Sequence, residues 1–119
     1  MGVVHHSVYA IWMEAGRIAW MDAAGMPYAD VAADGHNFAV TGLTIEYRKP
    51  IRFGDDVRII TKLSSLRSRR VSFEYEICIN DGTELCTIGR SDQICVDDNG
   101  SMSRIPNDVL QRMQSIADV

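Results

Sequence analysis

The chain has 119 residues, 46% hydrophobic and 24% charged, which is about one domain's length and too apolar for wholesale disorder. A net charge of −4 argues against a protein that coats nucleic acid, and no apolar run reaches the ~20 residues of a membrane span. Cys78, Cys86 and Cys95 are odd in number and lie in apolar stretches, and the N-terminus lacks the order of a signal peptide, so the expected setting is cytoplasmic and reducing.

Ser7 to Ala24 predicts a helix, with no proline, with Ser7 as its N-cap and with Gly25 and Pro27 as its stop. At about 100° per residue Ser7, Glu14 and Arg17 share one narrow polar stripe. A helix so apolar elsewhere predicts enclosure by other structure. Met26 to Asn37 reads as a loop rich in Ala, Asp and Gly. Period-two patterns then predict strands over Phe38–Arg48, Val57–Leu66, Val71–Ile79 and Leu85–Val96. A basic connection, Lys49 to Asp55, separates the first two, and Asn80-Asp81-Gly82-Thr83 predicts a tight hairpin between the last two. Pro106-Asn107 opens a short amphipathic helix with Val109, Leu110, Met113 and Ile116 on one side. The order is helix, four mostly antiparallel strands, helix. It predicts an α+β domain over residues 1–119 in which a curved sheet wraps around the first helix. Four strands cannot enclose such a helix or cover their own edges, so a partner subunit is expected, as a homodimer or homotetramer.

The segment Gly2-Val3-Val4-His5-His6-Ser7-Val8-Tyr9, continuing to Glu14-Ala15-Gly16-Arg17, resembles the opening motif of the 4-hydroxybenzoyl-CoA thioesterase / YbgC-like acyl-CoA thioesterases. Ile45-Glu46-Tyr47-Arg48-Lys49-Pro50-Ile51-Arg52-Phe53-Gly54-Asp55 is similar to that family's Y-x-x-P-x-R-x-x-D connection. The resemblance implies a hot-dog fold and hydrolysis of an acyl-CoA thioester, with no cofactor, no metal and no nucleic-acid partner. The family's catalytic aspartate precedes the Gly-Val-Val run, upstream of Met1, so the expectation is a hot-dog unit without that carboxylate and without its first strand. A non-catalytic hot-dog module that binds acyl-CoA, or serves only in assembly, is the alternative.

Thioester hydrolysis needs a polarised carbonyl and an activated water. Free N–H groups at a helix start, with the positive end of its dipole, supply the first. His6 is the candidate for proton transfer beside them, the alternative being an exposed histidine pair with no role. Glu14, expected to be buried, is either a base or water-positioning group, or the local partner of Arg17. Val4, His5, Ser7, Tyr9 and Trp12 are candidates for lining the acyl site, Trp12 being equally readable as core. Arg48, Lys49 and Arg52 form one basic cluster; Arg67, Arg69 and Arg70 form another. Either suits coenzyme A phosphates, or is an ordinary solvated loop.

Overall fold

The computed structural model describes residues 2–117. Helix α1 (His6–Ala23) begins one residue before the expected start, and its N-cap is His5 rather than Ser7. His5 has extended backbone angles, φ −67° and ψ 144°, and its imidazole Nδ1 accepts the Ser7 N–H at 3.2 Å. Ser7 therefore sits inside the first turn, with the amide that is capped. At the other end Gly25 takes φ +78°, which lets Met26 N–H reach back to the Met21 carbonyl (2.9 Å) and Gly25 N–H to that of Asp22 (3.0 Å). The expected loop after Gly25 contains a six-residue helix, α2 (Tyr28–Ala33), which Pro27 opens with φ −53° and which buries Val31.

Four antiparallel strands follow, β1 (His36–Tyr47), β2 (Arg58–Leu66), β3 (Arg70–Ile79) and β4 (Glu84–Asp97). They lie in the order β1-β4-β3-β2, with Tyr47 opposite Thr87, Ile45 opposite Gly89, and Ile59 opposite Ile77. The hairpin between β3 and β4 turns on Asn80, Asp81 and Gly82, all at positive φ. Helix α3 (Asn107–Ala117) closes the described chain, burying Val109 and Met113 and leaving Ile116 exposed.

Helix α1 lies on one face of the sheet, and two glycines set how closely. A Cβ on Gly16 would collide with Thr61 Oγ1 of β2, and one on Gly89 would lie 2.8 Å from Met13 Cε. The bare backbone of β4 thus receives the fully buried Met13, a side chain whose burial is worth about 1.5–3 kcal/mol. Tyr9, Met13, Gly16 and Met21 face the sheet. The opposite side of α1 is open, however: Ile11 is 62% exposed, and Glu14, Ala15, Ile18 and Ala19 are exposed with it. The sheet covers only one side of the helix, so the enclosure expected from its composition is incomplete within one chain.

Candidate active site

The two sequence motifs meet at the start of α1. Residues Gly2 to Val4 run antiparallel to Ile51–Phe53, with Val4 N–H on the Ile51 carbonyl and Phe53 N–H on the Gly2 carbonyl, both at 2.8 Å. Ile51 is fully buried, and Arg48 and Lys49 both donate backbone N–H bonds to the Cys86 carbonyl, at 2.9 and 3.0 Å. The strap before the helix and the basic connection after β1 are therefore fixed to each other and to β4.

Between them lies an open cleft of about 420 Å³, lined by Val4, His6, Tyr9, Tyr47 and Lys49 among others. Val8 N–H bonds the His5 carbonyl at 3.1 Å and Ser7 N–H is taken by the His5 ring. Among the described residues the His6 N–H has no acceptor. It is a free donor at the positive end of the dipole. The His6 ring lies exposed against His5, centroids 4.1 Å apart, and His5 Nδ1 also shares a 2.9 Å hydrogen bond with Ser7 Oγ. Tyr9 forms the floor, 2% exposed, edge-on to Tyr47 (5.0 Å) and Trp12 (5.2 Å). Burial raises its phenol pKa above the ordinary value, against a weaker opposing pull from Thr87 and the Ile51 backbone. Trp12 packs half-buried against the core and is not among the residues of this cleft.

Glu14 is elsewhere. It stands exposed on the open side of α1, about 10 Å along the axis from Ser7 by helical rise. Neither its expected burial nor its pairing with Arg17 is found: among the described residues no ion pair joins them. Arg17 instead turns inward to donate to the Tyr75 hydroxyl at 3.0 Å, where a cation serves a buried acceptor better than a solvated carboxylate would. Glu14 and Arg17 both border a second cavity of about 230 Å³ between α1 and the sheet. Gln93 of β4 also borders it, a residue the sequence reading passed over although Thr87, Gly89, Ser91 and Gln93 alternate as small or polar residues on a strand's buried face.

The basic clusters separate. Lys49 borders the cleft and pairs with Glu84 at 3.2 Å, Arg48 pairs with Glu46 at 3.5 Å, and the Arg52 backbone N–H donates to Asp55 at 2.8 Å. Arg67 and Arg69 sit in the β2–β3 turn and Arg70 opens β3, roughly 24 Å away along β4 by strand rise from Thr87 to Ile94. None of the three is in an ion pair among the described residues. No group of three or more His, Cys, Asp or Glu among the described residues is placed to hold a metal ion, and no described helix is long and apolar enough to cross a membrane.

Known proteins resemble the chain in sequence and in fold. A protein of Bacillus subtilis named as an acyl-CoA thioesterase, YneP, is 33% identical over 97 residues, which cover 82% of this chain and 70% of that one. The acyl-CoA thioester hydrolase YbgC of Escherichia coli is 28% identical over 96 residues, covering 81% and 71%. Among solved structures, protein TT1821 of Thermus thermophilus superposes with a TM-score of 0.91 at 37% identity, over 97% of this chain and 87% of that one. The DHNA-CoA thioesterase of Staphylococcus aureus superposes with a TM-score of 0.85 at 28% identity, over 99% and 83%. With an α-helix seated on a curved antiparallel sheet, and with residues 1–113 matching the family's pattern, the chain belongs to the Thioesterase-like superfamily and has its hot-dog fold.

Proposed function

We propose that the chain hydrolyses acyl-CoA thioesters at the start of α1. The observation that carries this reading is the unpartnered His6 N–H, held at a helix start by the strap to Ile51–Phe53 and opening on a cleft with a lysine at its rim. The thioester carbonyl oxygen docks on that N–H, where the backbone donor and the dipole stabilise the negative charge that develops on it. Water adds to the carbonyl carbon, its proton passes to the His6 imidazole, and the carbon–sulfur bond breaks. The proton then goes to the departing thiolate, giving free acid and coenzyme A. Val4, His5, Ser7 and Tyr9 shape the carbonyl end, and Glu14 is too far along the helix to reach it.

The acyl group runs along the open side of α1, where Ile11 and Ile18 of the helix and Leu43 and Val40 of β1 are exposed. A second copy of the chain covers the same strip by pairing along the free edge of β1. Antiparallel pairing there sets the Tyr47 end of one β1 beside the His36 end of the other. The arginine turn of each copy then lies at the same end of the joined sheet as its partner's helix start. On this reading Lys49 and Arg52 act within the chain, and Arg67, Arg69 and Arg70 contact phosphates across the two-fold. Three free, buried cysteines accord with a reducing, cytoplasmic setting.

A second reading, a module that binds acyl-CoA without cutting it, is favoured by one feature: among the described residues no carboxylate lines the cleft. Release of free thiol from short, medium, long and aromatic acyl-CoAs decides between them. Turnover is expected; calorimetric binding with no thiol released establishes the second reading instead.

A further inference from the structure

Behind α1, facing the second cavity, lies a chain of polar side chains that hydrolysis at the helix start does not use. Arg17 donates to the Tyr75 hydroxyl at 3.0 Å and reaches Ser91 Oγ at 3.5 Å. Tyr75 and Ser91 share a hydrogen bond of 2.6 Å, and Gln93 Nε2 donates to Ser91 Oγ at 2.6 Å. Tyr75, Ser91 and Gln93 are 1%, 0% and 2% exposed. The network ends on an orphan, because Gln93 Oε1 is buried and has no partner. Such a group has given up water without gaining a partner, so a ligand that pairs with it gains affinity. Gln93 borders the cavity of about 230 Å³ together with Glu14, Arg17, Tyr28, Phe38 and Phe73, so whatever enters meets a largely apolar wall with one amide, one guanidinium, one carboxylate and one phenol in it.

We propose that this cavity receives the far end of the acyl chain and that the chain carries a hydroxyl group there, an inference that rests on the acyl-CoA reading above. A hydroxyl can donate to Gln93 Oε1 and accept from Arg17 at once, whereas a terminal methyl leaves the amide unpaired. Turning the Gln93 amide end for end would present its N–H₂ group to the cavity instead, and a hydroxyl accepts that bond equally well. The match therefore holds for both amide orientations. From the start of α1 to Arg17 the helix rises roughly 15 Å, the reach of a chain of about twelve carbons. The exposed Ile11 and Leu43 lie between the two ends of that path. The substrate class is thus a medium-to-long acyl-CoA hydroxylated at or near its end.

The test compares kcat/KM for matched pairs of acyl-CoAs from six to sixteen carbons, each with and without a terminal hydroxyl. A preference of about tenfold or more for the hydroxylated member is expected near twelve carbons, set by whether the buried amide finds a partner. In Gln93→Leu that ratio is expected to fall below about threefold, for the same reason. Equal rates for both members at every length, as when a water fills the cavity, overturn the inference and leave the thioesterase reading standing. Thermal shifts with free 12-hydroxydodecanoic and dodecanoic acids decide the matter without any turnover. The hydroxy acid is expected to stabilise the wild-type chain more, and equal shifts overturn the inference. Absence of turnover with every acyl-CoA would defeat the thioesterase reading alone and leave the free acids to judge the cavity.

Discussion

Histidine is not among the favoured N-cap residues, yet His5 begins α1. Its Nδ1 accepts the Ser7 N–H, the bond a side-chain oxygen makes in the usual caps. The cap leaves His6 N–H free in the first turn, so one side chain governs both helix stability and oxyanion geometry. His5→Ala is expected to lower stability by about 1 kcal/mol in urea unfolding and to reduce kcat, while His5→Asn, a strong cap, restores stability. Unchanged unfolding of His5→Ala would mean that the imidazole does not cap. Ser7 has the composition of a cap and His5 does not, so preference alone chose the wrong residue. Glu14 and Arg17 stand at helix-pair spacing, but a buried Tyr75 and Ser91 far away in sequence draw the arginine inward. The orphan amide of Gln93 exists only because β4 faces α1 across a cavity, and no local pattern encodes that.

Between elements, the contact that matters most is the close approach of α1 to β2. Gly16 has no room for a Cβ beside Thr61, and Ile59 Cγ2 lies 3.1 Å from where that Cβ would be. Gly16→Ala is therefore expected to destabilise by about 1–3 kcal/mol through overpacking, despite alanine's better helix propensity. A stabilised variant in urea unfolding would show that the helix can lift off the sheet without loss. The elements themselves were legible because alternation and turn chemistry are local. All four strands fall within two residues of their expected ends, and the hairpin turns where Asp-Gly required. Helix α2 was not legible: six residues are too few to show a period, and their Ala and Asp content reads as loop. The meeting of the Gly2–Val4 strap with Ile51–Phe53 was beyond pattern reading too, being a contact between segments far apart in sequence.

Across the whole molecule, the ionisable groups shifted by burial all resist losing a proton. Burial raises the pKa values of Tyr9, Tyr75, Cys78, Cys86 and Cys95, whereas Asp92, held low first by the Ser72 hydroxyl, is the one described carboxylate with a shift. A group whose folded pKa is raised contributes its full stability below the unfolded value and loses it as pH climbs through the folded value. Stability is therefore expected to hold near neutrality and to fall from about pH 8.5 for the thiols and about pH 10 for the phenols. Urea midpoints against pH measure this, and Tyr75→Phe should flatten the slope above about pH 10. A midpoint that stays level to about pH 11 would show that these groups ionise in the fold as freely as in the unfolded chain.

Hydrolysis at the start of α1 depends on where the thioester carbonyl sits. A ketone analogue of dodecanoyl-CoA, with a methylene in place of the thioester sulfur, binds without being cut, and a crystal structure of the chain with it locates that carbonyl. The oxygen is expected about 2.7–3.1 Å from the His6 backbone nitrogen, with the acyl chain running along α1 toward Gln93. An analogue bound with its carbonyl away from the helix start would contradict the proposed chemistry.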